Sequence, residues 1–144
     1  MAEWDWGKDS RWGLSGLYTL NDYRTRNMGA VHSRLGFEGD SAFLGQLGFI
    51  REDPLNNLAK LGGYWFGQYS AGLSRGLHVM MTTEYYTQDW TAATARRFRA
   101  GPSVQWLPMQ RLELRLDALA TRSTGASSLE DDTLTLQSQV HVWL

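Results

Sequence analysis

Hydrophobic and polar residues alternate along most of the chain. In residues 111–118 every even position is aliphatic and every odd position is charged, and residues 97–106 alternate in the same sense. A helix repeats every 3.6 residues and would scatter these charges around its circumference, whereas a strand sorts them onto opposite faces. Pro108 lies between the two runs and has the fixed φ that suits a tight turn. The pattern predicts a β-hairpin with one apolar face and one ionic face.

The same alternation recurs in six further runs, so that the chain has eight predicted strands. They cover residues 12–20, 31–37, 43–50, 61–73, 77–86, 97–106, 111–118 and 133–144. The connections after the second, fourth and sixth strands are short, whereas those after the other strands are longer and polar. Residues 1–10 are interpreted as a polar N-terminal extension.

These features together predict the fold. Strands of about 9 to 12 residues are near the length that crosses a bilayer when tilted. An even number of antiparallel strands, with short turns at one end and longer loops at the other, is typical of bacterial outer-membrane barrels. We predict one all-β domain over residues 1–144, an eight-stranded antiparallel up-and-down transmembrane β-barrel. Its short turns would be periplasmic and its longer loops extracellular.

Composition and charge exclude several classes of function. The formal net charge of −1 gives no reason to expect a nucleic-acid partner, and the absence of cysteine excludes disulfides and thiolate chemistry. The chain contains no apolar run of the roughly 18 residues that a membrane helix needs, whereas barrel strands alternate and remain polar on average. We expect no cofactor and no metal site.

In a barrel of this size the apolar positions would face lipid and the polar positions would face the lumen. An eight-stranded barrel has an interior just wide enough for side chains. The polar positions carry charges of both signs, so we predict an ion-paired lumen that is closed or passes only small ions. The predicted lumen network consists of Arg34, Glu84, Arg97, Arg99, Glu113, Arg115 and Asp117.

Aromatic residues lie near the ends of several predicted strands, on the apolar parity. Membrane barrels place such residues in two girdles, one at each interface with water. Trp12 and Trp106 lie at the short-turn end, whereas Tyr18, Phe49 and Tyr85 lie toward the loop end. We predict that these five residues form the two girdles.

The last strands resemble those of a known class of proteins. The hairpin over residues 100–115 and the alternating run over residues 134–144 look like the closing strands of Gram-negative outer-membrane β-barrels. The predicted strand count resembles the small OmpA-like and OmpX-like barrels, or the last eight strands of a larger porin-like barrel. The resemblance implies a location in the bacterial outer membrane. It also implies a lipid bilayer or detergent and the outer-membrane assembly machinery as partners, and a monomeric state.

Function remains open at this point, because a fold does not determine it. We predict a structural membrane scaffold that is not an enzyme. The alternatives are a pore, including one formed by part of a larger porin-like barrel, and a soluble ligand-binding β-barrel. The three histidines, His32, His78 and His141, have no apparent catalytic partners, and the acidic run over residues 130–132 is interpreted as a solvated loop.

Overall fold

Each strand of the protein pairs with the strand that follows it in the chain. The structure is a computed structural model that describes residues 2–5, 9–21, 23–54, 58–92, 96–125 and 130–143. It contains one antiparallel sheet in the order β1 to β9. The strands are β1 (Ala2–Asp5), β2 (Ser10–Asn21), β3 (Arg24–Phe37), β4 (Ser41–Pro54), β5 (Lys60–Ser74), β6 (Leu77–Thr87), β7 (Arg96–Met109), β8 (Leu112–Thr124) and β9 (Glu130–Val142).

The all-β class and the antiparallel up-and-down order are confirmed, but the predicted number of strands is wrong. Over the described residues the sheet has nine strands instead of eight. The additional strand is β1, which lies in the stretch that was interpreted as a polar extension. Four residues are too few to show a period, and β1 acquires its conformation by pairing with residues 11–14 of β2. Within the described residues there is no helix long and apolar enough to cross a membrane.

The sheet is open, so the predicted closure into a barrel is not seen. Among the described residues, β9 pairs with β8 and with no other strand, and β1 pairs only with β2. The outer edge of β9 and residues 15–21 of β2 therefore present backbone groups that no strand partner satisfies. Alternation within strands predicts which strands exist, but it contains no information about pairing between the first and last strands.

Two of the short turns use residues with positive φ. Gly39 and Asp40, between β3 and β4, have φ values of 78° and 58°. Gly76, between β5 and β6, has φ of 75°. A Cβ on Gly76 would also lie 2.4 Å from the carbonyl oxygen of Leu107. Glycine therefore avoids both the strain of a left-handed conformation and a clash with β7.

Two connections differ from the sequence prediction. β7 continues through Pro108 to Met109, and a shift of register after Trp106 accommodates the proline in an irregular position of the strand. At the other end of the sheet, the long polar loop expected after the first strand is not present, because β2 ends at Asn21 and β3 begins at Arg24. The Asn21 side-chain oxygen accepts hydrogen bonds from the backbone N–H groups of Tyr23 and Arg24 at 3.1 and 2.9 Å, which stabilises this tight turn.

Candidate functional site: the inner face of the sheet

The two faces of the sheet differ in burial, and this difference reveals its curvature. Among the described residues, the buried side chains of the strands lie on one face, which we call the inner face; Thr87 is the exception. These inner residues are Ala30, Ile50, Met80, Thr82, Ser103, Asp117 and Leu119. In the part of the chain that the structure describes, the sheet is the only layer, so burial on one face requires the sheet to curl toward that face. The inner face is therefore the concave one, and it mixes apolar, polar and charged residues.

The outer face is apolar and exposed. Leu47, Phe49, Met81 and Leu116 are about half exposed on it, at 45%, 53%, 50% and 55%. The charged side chains that the structure describes on the outer face of the strands all lie near the loop end. They are Arg51, Asp53, Arg96, Arg122 and Asp132. The middle of the outer face is a band without charges.

Asp117 is the most deeply buried acidic residue of the inner face, and 3% of it is exposed. The Ser103 hydroxyl on β7 donates a hydrogen bond to its carboxylate, and the Arg115 guanidinium lies 2.9 Å away. Ser103 pairs with Asp117 across the strands, whereas Arg115 lies two residues earlier on the same face of β8. A buried carboxylate is stable only when its charge and hydrogen-bonding capacity are satisfied, and these two neighbours supply both.

A second pair of contacts links β7, β8 and β9 nearer the short-turn end. Gln105 donates a hydrogen bond of 2.8 Å to Glu113, and His141 Nδ1 lies 3.7 Å from the same carboxyl group. On β6 and β7, Arg99 lies 3.7 Å from Glu84, in the pairing that the register dictates. The charges of the inner face thus interact mostly with cross-strand neighbours.

The structure separates the residues of the predicted lumen network into groups. Arg115 contacts Asp117, Arg99 contacts Glu84, and Glu113 contacts a glutamine and a histidine that were outside the prediction. Arg34 and Arg97 also lie on the inner face, but neither forms an ion pair within 4 Å with a described residue. The described part of the chain therefore holds local pairs and no continuous network.

Neutral polar pairs on the inner face were missing from the sequence prediction. Gln46 donates a hydrogen bond of 2.9 Å to the hydroxyl of Tyr64, and Gln68 donates one of 3.0 Å to the hydroxyl of Thr82. Gln68 and Thr82 face each other directly, whereas Gln46 and Tyr64 are diagonal neighbours. Parity places all four residues on one face, but only the register between strands shows which of them meet.

The inner face encloses a polar cavity of about 720 Å³ near the short-turn end. Its wall combines residues from β1 to β7, which shows how far the sheet curls. Arg11, Arg34, Gln68, His78 and Gln105 line it, with Asp5, Asp9 and Asp40. His78 Nε2 lies 3.8 Å from the Asp40 carboxylate, which belongs to the turn between β3 and β4. The cavity is open and hydrophilic.

The five aromatic residues predicted as girdles all lie on the outer face. Trp12 and Trp106 are 40% and 47% exposed near the short turns, and Tyr18 and Phe49 are 64% and 53% exposed nearer the loops. Tyr85 is less exposed, because it stacks on Trp90 with ring centroids 6.0 Å apart.

Trp90 was missing from the prediction because its segment shows no alternation. The backbone N–H of Trp90 donates a hydrogen bond of 2.8 Å to the backbone carbonyl of Leu61, and the Thr87 hydroxyl donates one of 2.9 Å to the backbone carbonyl of Asp89. These bonds hold the first residues after β6 against β5 and bury Thr87 completely. A hydrogen bond from the Thr91 hydroxyl to the Asp89 carboxylate lowers the pKa of Asp89. Residues 88–91 therefore pack against the sheet and extend its aromatic surface beyond the strands.

Metal-ligating clusters were sought among the described residues. No group of three His, Cys, Asp or Glu side chains among them is placed to hold a metal ion. Asp132, in the acidic run, forms a two-point ion pair with Arg122 at 2.9 and 3.0 Å. Comparisons with known protein families, curated proteins and solved structures give no match to this chain. The physical character of the two faces is thus the basis for inferring function.

The Asp117 carboxylate is the interaction whose loss should destabilise the sheet most. In Asp117→Ala the Arg115 charge and the Ser103 hydroxyl lose their partner in a confined space, which should cost about 3 to 5 kcal/mol. Removal of the exposed partner of Arg51 in Asp53→Ala should cost about 0 to 1 kcal/mol, because water solvates that pair. Urea unfolding followed by tryptophan fluorescence measures both. Equal losses for the two variants would contradict the assigned role of Asp117.

Proposed function

We propose that the chain is an outer-membrane β-barrel protein that acts as a structural membrane scaffold, with its apolar outer face in lipid. The observation that carries the proposal is the distribution of charge over the two faces. Charged residues occur on the inner face along the strands, including Arg115 and Asp117 in the middle of β8. The charged side chains described on the outer face of the strands lie only near the loop end. A soluble sheet would expose its charged face to water and bury its apolar face.

The dimensions of the outer band support the same conclusion. On β4, β8 and β9 the outer face is free of charge over residues 41–49, 112–120 and 134–142. Nine residues of a strand extend roughly 30 Å, which a tilt of about 40° reduces to a height of roughly 23 Å. The apolar band of a membrane barrel is about 25 Å tall. Arg51 on β4 and Arg122 on β8 would then mark the interface on the loop side.

The stagger of the strands favours closure of the sheet in a membrane. A row of directly paired residues runs from Leu14 on β2 across each following strand to Asp132 on β9. Leu14 lies four residues from the short-turn end of its strand, whereas Asp132 lies ten residues from the short-turn end of its own. The row therefore climbs toward the loop end as it crosses the sheet. A barrel closes only with such a stagger. A total stagger of about eight residues, the value found in (β/α)8 barrels, would place Leu14 opposite Val140.

Closure through β2 and β9 would be antiparallel, as an even number of strands requires, and it would need the backbone edge that β1 now covers. Ala2 pairs with Leu14 in the open sheet, and Arg11 fixes β1 through an ion pair with Asp5 at 2.8 Å. Because an unpaired edge in lipid leaves backbone groups without hydrogen bonds, the closed form would be strongly favoured there. We propose that β9 replaces β1 on the edge of β2 when the protein enters the membrane.

The filled inner face favours a scaffold over a channel. Cross-strand pairs such as Ser103–Asp117 and Gln68–Thr82 project into the interior at mid-height. Eight strands leave an interior only wide enough for such side chains. The cavity near the short turns would open to water at that end of the barrel and would be closed at mid-height by these side chains. A second copy or further strands would widen the barrel into a pore. The cysteine-pair and conductance experiments below distinguish such a pore from the closed scaffold.

Charge placed in the middle of the outer band should prevent insertion. Leu116→Arg puts a cation near the centre of the band on β8, which costs about 2 to 4 kcal/mol in a bilayer. Thr124→Arg places the same side chain on the same face of the same strand above the band, where the cost is about 0 to 1 kcal/mol. Folding into lipid vesicles, measured by urea titration and heat-modifiable gel migration, should fail or weaken only for Leu116→Arg. If Leu116→Arg folds normally and remains soluble without lipid, the membrane assignment is wrong.

Pairs of introduced cysteines distinguish the open sheet from the closed barrel, and the chain has no native cysteine to interfere. Leu14→Cys with Ala2→Cys should form a disulfide in the open sheet, whereas Leu14→Cys with Val140→Cys should form one only after insertion into lipid. Mass spectrometry and gel migration identify the bonds. A Leu14–Val140 bond between two chains would indicate a larger barrel made from two copies. Closure through β2 and β9 would be contradicted if no disulfide formed in lipid, either at positions 14 and 140 or at neighbouring positions two residues away on each strand.

Conductance in planar bilayers should be absent or limited to small, brief events, since paired side chains obstruct the lumen. Protease protection of the strands on the same membranes shows whether the protein has inserted, so that a lack of current cannot be due to a lack of inserted protein. Large, steady openings would contradict the scaffold and support the pore.

A further inference from the structure

Small side chains form a trough in the outer face near the loop end of β7 and β8. Ala100 and Ala120 face each other across these strands and form the floor of a depression of about 490 Å³. Phe98 and Leu134 border it and are 48% and 70% exposed. The side chains of Phe98 and Leu134 are larger than those of the two alanines beside them, so the alanines leave a depression in the face. The alanines, Phe98 and Leu134 make most of the lining apolar, and Thr121 and Thr133 complete it.

An ion pair closes the loop-side end of the trough. Phe98, Arg122 and Asp132 lie in one row across three strands, one step above the row that contains the two alanines. Arg122 Nε and Nη2 bind the two oxygens of Asp132 at 2.9 and 3.0 Å. Both side chains are about 60% exposed, at 60% and 61%. The pair thus presents a positive and a negative group side by side at the head of an apolar groove.

We infer that this trough binds one phospholipid with a zwitterionic headgroup, an inference that rests on the proposed membrane function. An acyl chain fits the apolar floor, and the phosphate and ammonium groups match the adjacent guanidinium and carboxylate. A headgroup with a phosphate but no cation would compete with Asp132 for Arg122 and would offer the Asp132 carboxylate no cation in exchange. Charge complementarity therefore favours a phosphoethanolamine headgroup over an anionic phosphoglycerol headgroup.

Retention of lipid after extraction tests the inference. The full chain is folded into vesicles that contain equal amounts of phosphatidylethanolamine and phosphatidylglycerol, extracted with mild detergent, and examined by native mass spectrometry. We expect one retained phosphatidylethanolamine and about tenfold less phosphatidylglycerol. Ala120→Leu, which fills the trough, should reduce retention about tenfold, and Ala100→Leu should do the same if the first variant fails to fold. In the double variant Arg122→Gln with Asp132→Asn, one lipid should still be retained, but the preference for phosphatidylethanolamine over phosphatidylglycerol should be lost.

Matched variants on the same face control for general effects. Ala71→Leu adds the same bulk near the short-turn end of β5, and Arg51→Gln with Asp53→Asn removes the other outer ion pair; neither should change retention. If Ala120→Leu and Ala100→Leu retain lipid normally, or both lipids are retained equally by the native chain, the inference is overturned. In that result the protein still inserts, so the proposed function stands. A chain that folds in buffer and ignores vesicles overturns both.

Discussion

The register between neighbouring strands is the constraint on which the rest of this structure depends. Side chains alternate between the faces with a period of two, so a slip of one residue would transfer every charge of a strand to the opposite face. Asp117 would leave Ser103 and enter the apolar band, and Leu116 would take its place inside. The inner-face hydrogen bonds of Asp117 and of Gln68 therefore do more than add stability, since an incorrect register would break them.

The burial pattern also determines the shape of the sheet. Hydrophobic burial in a soluble protein would bring the apolar faces of two layers together, but here the described residues form one sheet, which curves around polar and charged groups. Trp65 illustrates the consequence on the outside: it is 41% exposed, and its indole N–H bonds to the Thr83 hydroxyl at 3.1 Å. A polar atom on the outer face thus finds its partner within the face, as a medium without hydrogen-bonding capacity would require.

Sequence reasoning recovered the parts of the structure that depend on residues close together in the chain. Parity within a strand identified all eight long strands and the residues of each face, because side-chain direction in a strand is a local property. It did not identify β1, which exists through its pairing with β2. It also did not identify the tight turn after Asn21, which depends on hydrogen bonds from the backbone to the Asn21 side chain. Nor could it show that Glu113 contacts Gln105 and His141, since those contacts depend on register across three strands. The openness of the sheet is a relation between its two ends, which no local pattern encodes.

The chain-order pairing of the strands has a consequence for how the protein folds. Every strand contacts its immediate predecessor and successor, so each step of the meander closes a short loop at little entropic cost, and hairpins can add one after another. The proposed seam between β2 and β9 would be different, because it would join residues separated by almost the entire chain. Its formation would wait until every other register is set, which would make it the slow and cooperative step of assembly and the one that commits the sheet to a single form.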